Sequence, residues 1–405
     1  MRGLSASGII IFFIVILFIE LIAYLGIIQL ASGRRARRFV TIIYWAISVS
    51  VISIWLSAFL NPAKIRETAD YDYFYFVISI SVLNLFPKAL MAIFSLAGLL
   101  LRLFHDKYYA KLVSLAGVII SFGMLLSIGY GLLFGKNQLQ VNHIELVTDG
   151  LPAQLDKLTV VQISDLHLGS FNNDSFVRKI AEKINELNPD LLLFTGDIVN
   201  NYYQEMIGFE DALALMKARY GKFAIFGNHD YGDYSNWKNE ESKRENHRII
   251  GQQLSNAGFI LLQNESYKVS LNDTCLYLVG VENWGHKPFP QYAQLDKAMA
   301  NIPEPAFTIL LSHDPAHWED EVVPKTSIPL TLSGHTHGGQ FGLKIGGISF
   351  SPMYLIQPLW AGLYKQDGQF LYVNQGTGSV GFPGRIDMNP ELTVLTLRSN
   401  SPKIN

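Results

Sequence analysis

Residues 158–170 read Leu-Thr-Val-Val-Gln-Ile-Ser-Asp-Leu-His-Leu-Gly-Ser and carry the strongest structural signal in the chain. The first seven, residues 158–164, are largely apolar and rich in β-branched residues, which is typical of a buried strand. Asp165 and His167 follow that strand directly. Because residues two apart on an extended chain face the same side, we expect these two side chains to point to one place.

Similar apolar runs predict further strands along the C-terminal three-fifths of the chain. They are residues 191–195, 223–226, 276–280, 307–311 and 330–332, and the partly alternating residues 370–374 and 392–398. Residues 176–187 have helical spacing and end before Pro189. Strands that alternate with helical segments predict an α/β domain.

Five polar segments follow these strands, and they contain half of the ten histidines of the chain. The segments are Ser164-Asp165-Leu166-His167-Leu168-Gly169, Gly196-Asp197, Gly227-Asn228-His229-Asp230, Ser312-His313-Asp314 and Gly334-His335-Thr336-His337-Gly338. Residues at the C-terminal ends of several strands converge on one crevice in α/β folds. The sequence therefore predicts a single polar site.

The residue types in these segments indicate metal binding. Carboxylate, amide and imidazole ligands together suit divalent Mn, Fe or Zn. The candidate ligands are Asp165, His167, Asp197, Asn228, His313, His335 and His337. Seven ligands are too many for one ion, and a carboxylate between two ions could bridge them, so the pattern predicts a binuclear site.

The five segments, in this order, resemble those of the calcineurin-like metallophosphoesterases, over about residues 155–398. The resemblance implies an α/β/β/α sandwich and assigns roles to residues. Asp165, His167 and His337 would hold the first metal, Asn228, His313 and His335 the second, and Asp197 would bridge both. His229 would face the substrate phosphate as a general acid.

Position 200 departs from that family pattern. Many relatives have Asp three residues after the bridging carboxylate, where it pairs with the catalytic histidine, whereas this chain has Asn200. We expect the Asn200 side chain to orient the His229 imidazole. An amide stabilises the cationic imidazole less than a carboxylate does, so the departure weakens the expected general-acid catalysis.

The first 138 residues predict a membrane anchor. The chain has only 16% charged residues and a mean hydropathy of +0.20. Four apolar runs, residues 8–30, 39–60, 73–101 and 112–134, each have the length of a membrane-spanning helix. The first run is too long for a cleavable signal peptide and lacks a basic start. We therefore predict a four-span anchor at residues 1–138 and a catalytic domain at residues 139–405.

Loop charges predict the orientation of this anchor in a plasma or inner membrane. The first and third loops are basic, with Arg34, Arg35, Arg37, Arg38, Arg102, Lys107 and Lys111. Basic loops stay in the cytoplasm, so the catalytic domain is expected to be periplasmic or extracellular. Pro87 and Lys88 interrupt the third run, and a re-entrant segment there would reverse the side. Lys88 and Glu20, both inside predicted spans, are expected to pair.

Net charge and cysteine content exclude two further classes of protein. A net charge of −2 argues against nucleic-acid binding, and the single cysteine, Cys275, excludes a disulfide framework.

The four-span N-terminal region resembles that of animal transmembrane proteins with a metallophosphoesterase domain. The motif Gly334–Gln340 resembles a bacterial membrane-associated branch that acts on phosphodiester or pyrophosphate bonds. The resemblance implies a hydrolase with two divalent ions, Mn favoured.

The substrate remains open at this level. We expect the enzyme to hydrolyse a phosphodiester or a pyrophosphate. Because the protein is predicted to lie in a membrane, this substrate is expected to be lipid-linked or a nucleotide-diphosphate glycolipid. The alternatives are a broad phosphomonoesterase and a non-catalytic metal-binding membrane module. The oligomeric state is not indicated by the sequence.

Two segments are expected to shape the substrate site. Residues 231–247 are polar, and residues 341–369 are rich in Trp, Tyr and Leu, as membrane-interface segments are. The second segment either leans on the membrane and admits a lipid-linked phosphate or packs on the sheets as ordinary core. Arg385 either contacts a substrate phosphate or forms a structural ion pair. His317 is expected at the surface or behind the ligands.

Overall fold

The computed structural model describes residues 6–104, 107–271, 273–285, 290–346 and 348–400. The chain divides into two compact units, Met1–Leu133 with Gly381–Gly384, and Phe134–Val380 with Arg385–Asn405. The helices of the first unit are α1 (Ala6–Ile28), α2 (Gly33–Leu60), α3 (Ala63–Arg66), α4 (Asp72–Phe104) and α5 (Lys107–Leu133). Those of the second unit are α6 (Ser175–Leu187), α7 (Glu210–Leu215), α8 (Glu240–Asn256), α9 (Leu295–Met299) and α10 (Val323–Lys325).

Four helices of the first unit, α1, α2, α4 and α5, are long and apolar enough to cross a membrane. The four apolar runs predicted from the sequence are therefore confirmed as helices. Helix α4 runs through Pro87 without a break, so the structure has no re-entrant segment at this position. Many large apolar side chains in these helices are exposed, such as Leu60, Leu103 and Phe104, as expected of helices that face lipid.

A polar network joins α1, α2 and α4 inside the first unit. The Lys88 ammonium lies 2.9 Å from both carboxylate oxygens of Glu20 and 2.9 Å from the Ser48 hydroxyl. Asn84 donates to Glu20 at 3.2 Å, and the Glu20 side chain is only 2% exposed. The expected Glu20–Lys88 pair is confirmed. Because its buried oxygens and ammonium are paired, it fixes how three helices meet.

The second unit contains two six-stranded sheets and a hairpin. The strands are β1 (Gln140–Thr148), β2 (Leu158–Ile163), β3 (Leu191–Phe194), β4 (Lys222–Ala224), β5 (Phe259–Leu261), β6 (Glu265–Leu271), β7 (Thr274–Gly280), β8 (Thr308–Leu311), β9 (Leu330–Ser333), β10 (Leu343–Ile345), β11 (Ile348–Phe350), β12 (Gly362–Gln366), β13 (Gln369–Val373) and β14 (Glu391–Ser399). The strand orders are β1-β14-β2-β3-β4-β5 and β12-β13-β9-β8-β7-β6, and β10 pairs with β11.

The centre of each sheet is parallel. Strands β2 to β5 run parallel in the first sheet, and β7, β8, β9 and β13 run parallel in the second. Strand β14 is antiparallel to β2 and parallel to β1. All C-terminal ends of one parallel group therefore lie at the same edge, where crevices for ligands form in α/β folds.

Three apolar clusters give the layers of the second unit. Side chains from both sheets, such as Val160, Phe223, Leu278 and Leu332, form the core between the sheets. The outer face of the first sheet packs on α6, α7 and α8. The outer face of the second packs on α9 and on the segment around Trp318. The order is thus α/β/β/α, which confirms the predicted fold class.

Helix α6 shows how local sequence sets these elements. Its apolar residues recur with helical spacing and bury one stripe, including Phe176, Ile180 and Ile184. The chain then adopts a left-handed conformation at Asn188, and Pro189 follows. Asn tolerates that conformation and proline disfavours helix in the residue before it, so the helix ends where the sequence predicted.

Candidate metal centre

All seven candidate ligands lie on loops that leave the C-terminal ends of β2, β3, β4, β8 and β9. Five of them have positive φ angles that only Gly, Asn and Asp adopt readily: Asp165 (51°), His167 (42°), Asp197 (59°), His335 (74°) and His337 (54°). Such conformations cost free energy and persist where the surrounding structure holds them. The loops therefore turn sharply enough to aim side chains from two sheets at one place.

The first group of ligands is Asp165, His167 and His337, whose candidate ligand atoms all lie within 4.8 Å of one another. The Nε2 atoms of the two histidines are 3.0 Å apart, and His337 Nε2 is 3.2 Å from Asp165 Oδ1. These three side chains are almost completely buried. Two imidazole nitrogens that face each other at this distance fit a cation between them.

The second group is Asn228, His313 and His335. The Asn228 Oδ1 atom lies 3.0 Å from His313 Nε2 and 2.8 Å from His335 Nδ1. The two imidazole nitrogens are 3.3 Å apart. His335 is only partly buried, whereas His313 is fully enclosed. This group therefore lies at the mouth of the site.

Asp197 lies between the two groups. Its Oδ2 atom is 3.5 Å from His167 Nε2 in the first group and 3.2 Å from His313 Nε2 in the second. Its Oδ1 atom accepts the His229 backbone N–H at 2.8 Å. A Cβ atom at Gly227 would lie 2.2 Å from that oxygen, so only glycine leaves room for the carboxylate there.

The donor set fits divalent metal ions. His313 Nδ1 donates to the Thr195 carbonyl at 2.7 Å, which leaves the Nε2 lone pair for a metal. Burial lowers the pKa of His167 well below its ordinary value, so this imidazole is neutral, as a ligand must be. Burial also opposes protonation of His313, but the Asp197 carboxylate raises its pKa to about 10. A cation bound at Asp197 competes with that proton.

His229 is held by its backbone and by Asn200, but not as expected. His229 Nδ1 donates to the main-chain carbonyl of Asn200 at 2.7 Å. The Asn200 side chain instead donates to Glu205 at 3.0 Å. The orienting contact therefore comes from a carbonyl, which position 200 supplies whatever its side chain.

Glu205 holds the carbonyl of Asn200 in place, a role that the sequence analysis did not predict. Its carboxylate is 5% exposed and accepts the backbone N–H groups of Asn200 (2.6 Å), Asn201 (2.8 Å) and Tyr202 (2.8 Å). Three donors on one carboxylate fix the loop between β3 and α7. No sequence signal marks it, because a capping box has Ser or Thr at the first position and this loop has Tyr202 there.

Tyr234 contacts both Asn228 and His229. Its hydroxyl accepts from Asn228 Nδ2 at 2.7 Å, and its ring stacks on the His229 imidazole with centroids 4.4 Å apart. The first contact keeps the Asn228 amide nitrogen away from the histidines, so that its oxygen faces them. Tyr234 therefore orients one candidate ligand and the candidate acid together.

Asp230 ties two of the ligand-bearing loops together. Its carboxylate accepts the backbone N–H groups of Asp197 (2.8 Å), Ile198 (2.9 Å), Val199 (3.2 Å) and Gly227 (2.8 Å). Burial and the neighbouring Asp197 carboxylate raise the pKa of Asp230 to about 8. Asp230 belongs to the motif read from the sequence, but its role emerges only from these contacts.

Arg385 and His317 are buried behind the ligands. The Arg385 guanidinium is fully buried and donates to the carbonyls of Gly378 (2.7 Å) and Met388 (3.0 Å). Its Nη2 atom also lies 3.4 Å from His337 Nδ1. Among the described residues it forms no ion pair, so the structural ion pair is not found, and the phosphate contact stays a prediction. His317, also fully buried, bonds Ser312 and Glu321, each at 2.9 Å, and lies outside both ligand groups.

The two segments expected to shape the site differ from simple loops. Helix α8 begins at Glu240, because the Asn239 side chain caps it at 2.8 Å from the Ser242 N–H, so only residues 232–239 remain a loop. Residues 341–369 consist of a part that packs on the sheet and a part that is exposed. Trp360 is buried and β12 pairs with β13 as sheet cover, whereas the hairpin β10–β11 and the turn after it are exposed.

Comparison with known proteins agrees with the fold and site. Residues 158–339 match the Calcineurin-like phosphoesterase family, and residues 5–136 match the family described as Probable Calcineurin-like phosphoesterase, transmembrane domain. The chain is 30% identical over 277 residues to the uncharacterized metallophosphoesterase YkuE of Bacillus subtilis (strain 168), covering 67% of this chain and 90% of YkuE.

Two further relatives are a transmembrane protein with a metallophosphoesterase domain and a pyrophosphatase. The Danio rerio transmembrane protein with metallophosphoesterase domain is 30% identical over 279 residues, covering 66% of this chain and 60% of that protein. The chain thus matches less than two thirds of that relative's length. The Chlamydia muridarum UDP-2,3-diacylglucosamine pyrophosphatase LpxG is 31% identical over 276 residues, covering 56% of this chain and 79% of LpxG.

The fold and the His/Asp cluster, with these relatives, define a metal-dependent hydrolase of phosphoric esters. Its four apolar helices and the transmembrane-domain match make it a membrane protein. The chain belongs to the calcineurin-like phosphoesterase family.

Proposed function

We propose that the protein is a binuclear metallophosphoesterase that hydrolyses phosphodiester or pyrophosphate bonds at a membrane. The observation that carries the proposal is the position of the Asp197 carboxylate, within 3.5 Å of a histidine from each ligand group. A carboxylate shared by two donor groups suits a pair of ions. The mixed oxygen and nitrogen donors favour Mn²⁺, with Fe and Zn as alternatives.

Each ligand group has a proposed role. Asp165, His167 and His337 would hold the first ion, Asn228, His313 and His335 the second, and Asp197 both. Bound there, the ions supply Lewis-acid charge for the phosphoryl oxygens and lower the pKa of the attacking water. Asn228 contributes an oxygen without adding negative charge, which favours an anionic substrate.

His229 is proposed as the general acid. Its Nδ1 proton is engaged by the Asn200 carbonyl, so Nε2 is the ring nitrogen left for substrate. Protonated at Nε2, it would donate to the leaving oxygen. A neutral carbonyl supports the imidazolium less than a carboxylate does, so the acid contributes less than a histidine paired with aspartate would.

The substrate class is proposed from location and from one relative. LpxG is named a UDP-2,3-diacylglucosamine pyrophosphatase, which supports a lipid-linked pyrophosphate or a nucleotide-diphosphate glycolipid here. The membrane-spanning potential of the first unit also favours a lipid substrate. The basic first and third loops support a periplasmic or extracellular catalytic domain.

Hydrolysis of two soluble esters by the purified full chain tests this proposal. With Mn²⁺, we expect turnover of bis-p-nitrophenyl phosphate to exceed that of p-nitrophenyl phosphate. Asp197→Asn and His229→Ala should each lower kcat by about 10²–10⁴-fold. His143→Ala, at an exposed histidine on β1, should match wild type.

Other outcomes point to the alternatives. A preference for the monoester would favour a broad phosphomonoesterase. Bound metal without turnover of either ester or of a lipid-linked pyrophosphate would favour a non-catalytic metal-binding module. An Asp197→Asn variant that binds two ions as tightly as wild type would contradict the bridging role.

A further inference from the structure

An exposed apolar surface follows the Gly334–Gln340 motif in the chain. We call it the apolar rim, formed by Leu343, Ile345, Phe350, Tyr354, Leu355 and Ile356. Leu355 is 81% exposed, Ile356 79% and Ile345 72%. These six exposed apolar side chains lie within 14 consecutive positions of the chain, and such a concentration marks an interaction surface.

The local structure keeps these side chains outside the core. In the hairpin, Leu343 pairs with Phe350 across β10 and β11, and Ile345 lies on the same face as Leu343. The Ser351 hydroxyl donates to the Phe341 carbonyl at 2.9 Å and closes the base of the hairpin. A short 3₁₀ turn, Pro352–Leu355, then presents Tyr354 and Leu355.

The charge of this segment matches an anionic lipid surface. Residues 341–369 contain two lysines, Lys344 and Lys365, and one acidic residue, Asp367, so the segment has a net positive charge. Both lysines are exposed. Apolar side chains flanked by lysine are the composition of segments that lie in a membrane interface, because the chains bury in lipid while the ammonium groups stay at the headgroups.

The rim is continuous with the candidate metal centre. A cavity of about 430 Å³ is lined by His335, Thr336, Met353, Ile356 and Gln357. It therefore has a candidate metal ligand on one side and a rim residue on the other. A molecule with a phosphate at His335 would have its adjoining apolar part at Ile356.

We propose that the apolar rim inserts among the lipids of a bilayer and receives the acyl part of a lipid-linked phosphate. The same chain carries four helices long and apolar enough to cross a membrane, which tethers the domain to lipid. The substrate part of this inference rests on the proposed function. The contact with lipid does not, and a separate measurement tests it.

The first test reads lipid contact directly, without catalysis. The full chain has one cysteine, so a Cys275→Ser background allows single-site labelling with an environment-sensitive NBD fluorophore. In nanodiscs of phosphatidylcholine and phosphatidylglycerol, the label at Leu355→Cys should emit at shorter wavelength and be quenched severalfold by doxyl-labelled phosphatidylcholine. The label at Ile207→Cys, 61% exposed on the same unit, should not.

Two outcomes overturn the lipid contact. Equal quenching at positions 355 and 207, or none at either, would show that the rim stays in water. A blue shift at position 355 that depends on protein concentration and resists doxyl quenching would show that a second copy of the chain covers the rim instead.

The second test separates substrate contact from catalysis. Ile345→Ser with Leu355→Ser should leave kcat/KM for bis-p-nitrophenyl phosphate unchanged. For UDP-2,3-diacylglucosamine in nanodiscs, kcat/KM should fall about tenfold or more, since each lost apolar contact of about 1.4 kcal/mol is tenfold. Ile207→Ser is the matched control.

If kcat/KM falls equally for both substrates, the apolar rim supports the metal site rather than substrate binding. If kcat/KM falls for neither substrate, the apolar rim does not bind substrate. If wild type hydrolyses neither substrate, the proposed function fails, while the quenching result still decides the lipid contact.

Discussion

At the scale of single residues, position 200 shows how a main-chain atom can do what a side chain does in related enzymes. The Asn200 carbonyl accepts from His229, while Glu205 holds the Asn200 amide groups. Aspartate at position 200 would place a second carboxylate beside the buried carboxylate of Glu205. Like charges at such a distance repel, so Asn200 and Glu205 form a matched pair.

This arrangement predicts opposite results for two substitutions. Asn200→Ala keeps the carbonyl, so kcat should stay close to wild type. Glu205→Gln places an amide NH₂ against backbone donors, so the free energy of unfolding should fall by about 1–3 kcal/mol, and kcat should fall as His229 loses its support. Thermal unfolding in detergent and ester hydrolysis measure both.

Glu182→Gln, at an exposed position on α6, controls for the loss of a charge. The arrangement is wrong if Asn200→Ala lowers kcat as strongly as His229→Ala while Glu205→Gln leaves it unchanged.

The sequence predicted which candidate ligands come together but not the residues that support them. Asp165 and His337 belong to short motifs whose residue types indicate metal binding. Glu205 and Tyr234 carry no such motif, since one holds main-chain N–H groups and the other an amide nitrogen. Which main-chain atoms meet a side chain depends on loop conformation, and that is fixed only by the folded structure.

At the scale of elements, helix α4 combines a proline with a buried charge. Pro87 lacks a backbone N–H and would end many helices, yet α4 continues to Phe104. Lys88 follows it and reaches Glu20 on α1. In the sequence, Pro87 and Lys88 interrupt the third apolar run. In the structure, they lie where hydrogen bonds join three helices.

The Glu20–Lys88 pair should stabilise the helices only as a pair. Lys88→Met leaves the Glu20 carboxylate buried without a cation, which should cost about 3–5 kcal/mol. Adding Glu20→Gln should recover most of that loss, because the amide oxygen still accepts from Asn84 and the amide NH₂ can donate to the Ser48 hydroxyl oxygen. The thermal transition of the detergent-solubilised protein measures both variants.

Lys64→Met, at an exposed lysine between α2 and α4, is the matched control. Equal destabilisation by the single and double variants would show that the pair itself contributes nothing.

Long apolar strands were easier to predict than short or mixed ones. The strands predicted at residues 158–164 and 307–311 appear as β2 and β8, each within one residue of its predicted bounds. Strand β5 has three residues and β6 is largely exposed. Neither has a continuous apolar run, so their pairing arises from sheet contacts rather than from local sequence.

At the scale of the whole molecule, the side of the membrane follows from charge. In a Cys275→Ser background, a membrane-impermeant maleimide should label Lys268→Cys, exposed on β6, in cells with an intact inner membrane. Ser32→Cys, exposed beside the basic first loop, should react only after the membrane is permeabilised. The reverse pattern would assign the catalytic domain to the cytoplasm.

The order of strands in the first sheet also constrains how the protein is made. Strand β14 (Glu391–Ser399), last along the described chain, lies between β1 and β2, the first two. A ribosome must therefore release nearly the whole domain before its first sheet can close. Until then β2 pairs with β3 on one edge, while the edge that β14 later covers stays unpaired. A premature stop codon before residue 391 would therefore leave β1 and β2 without the strand that joins them.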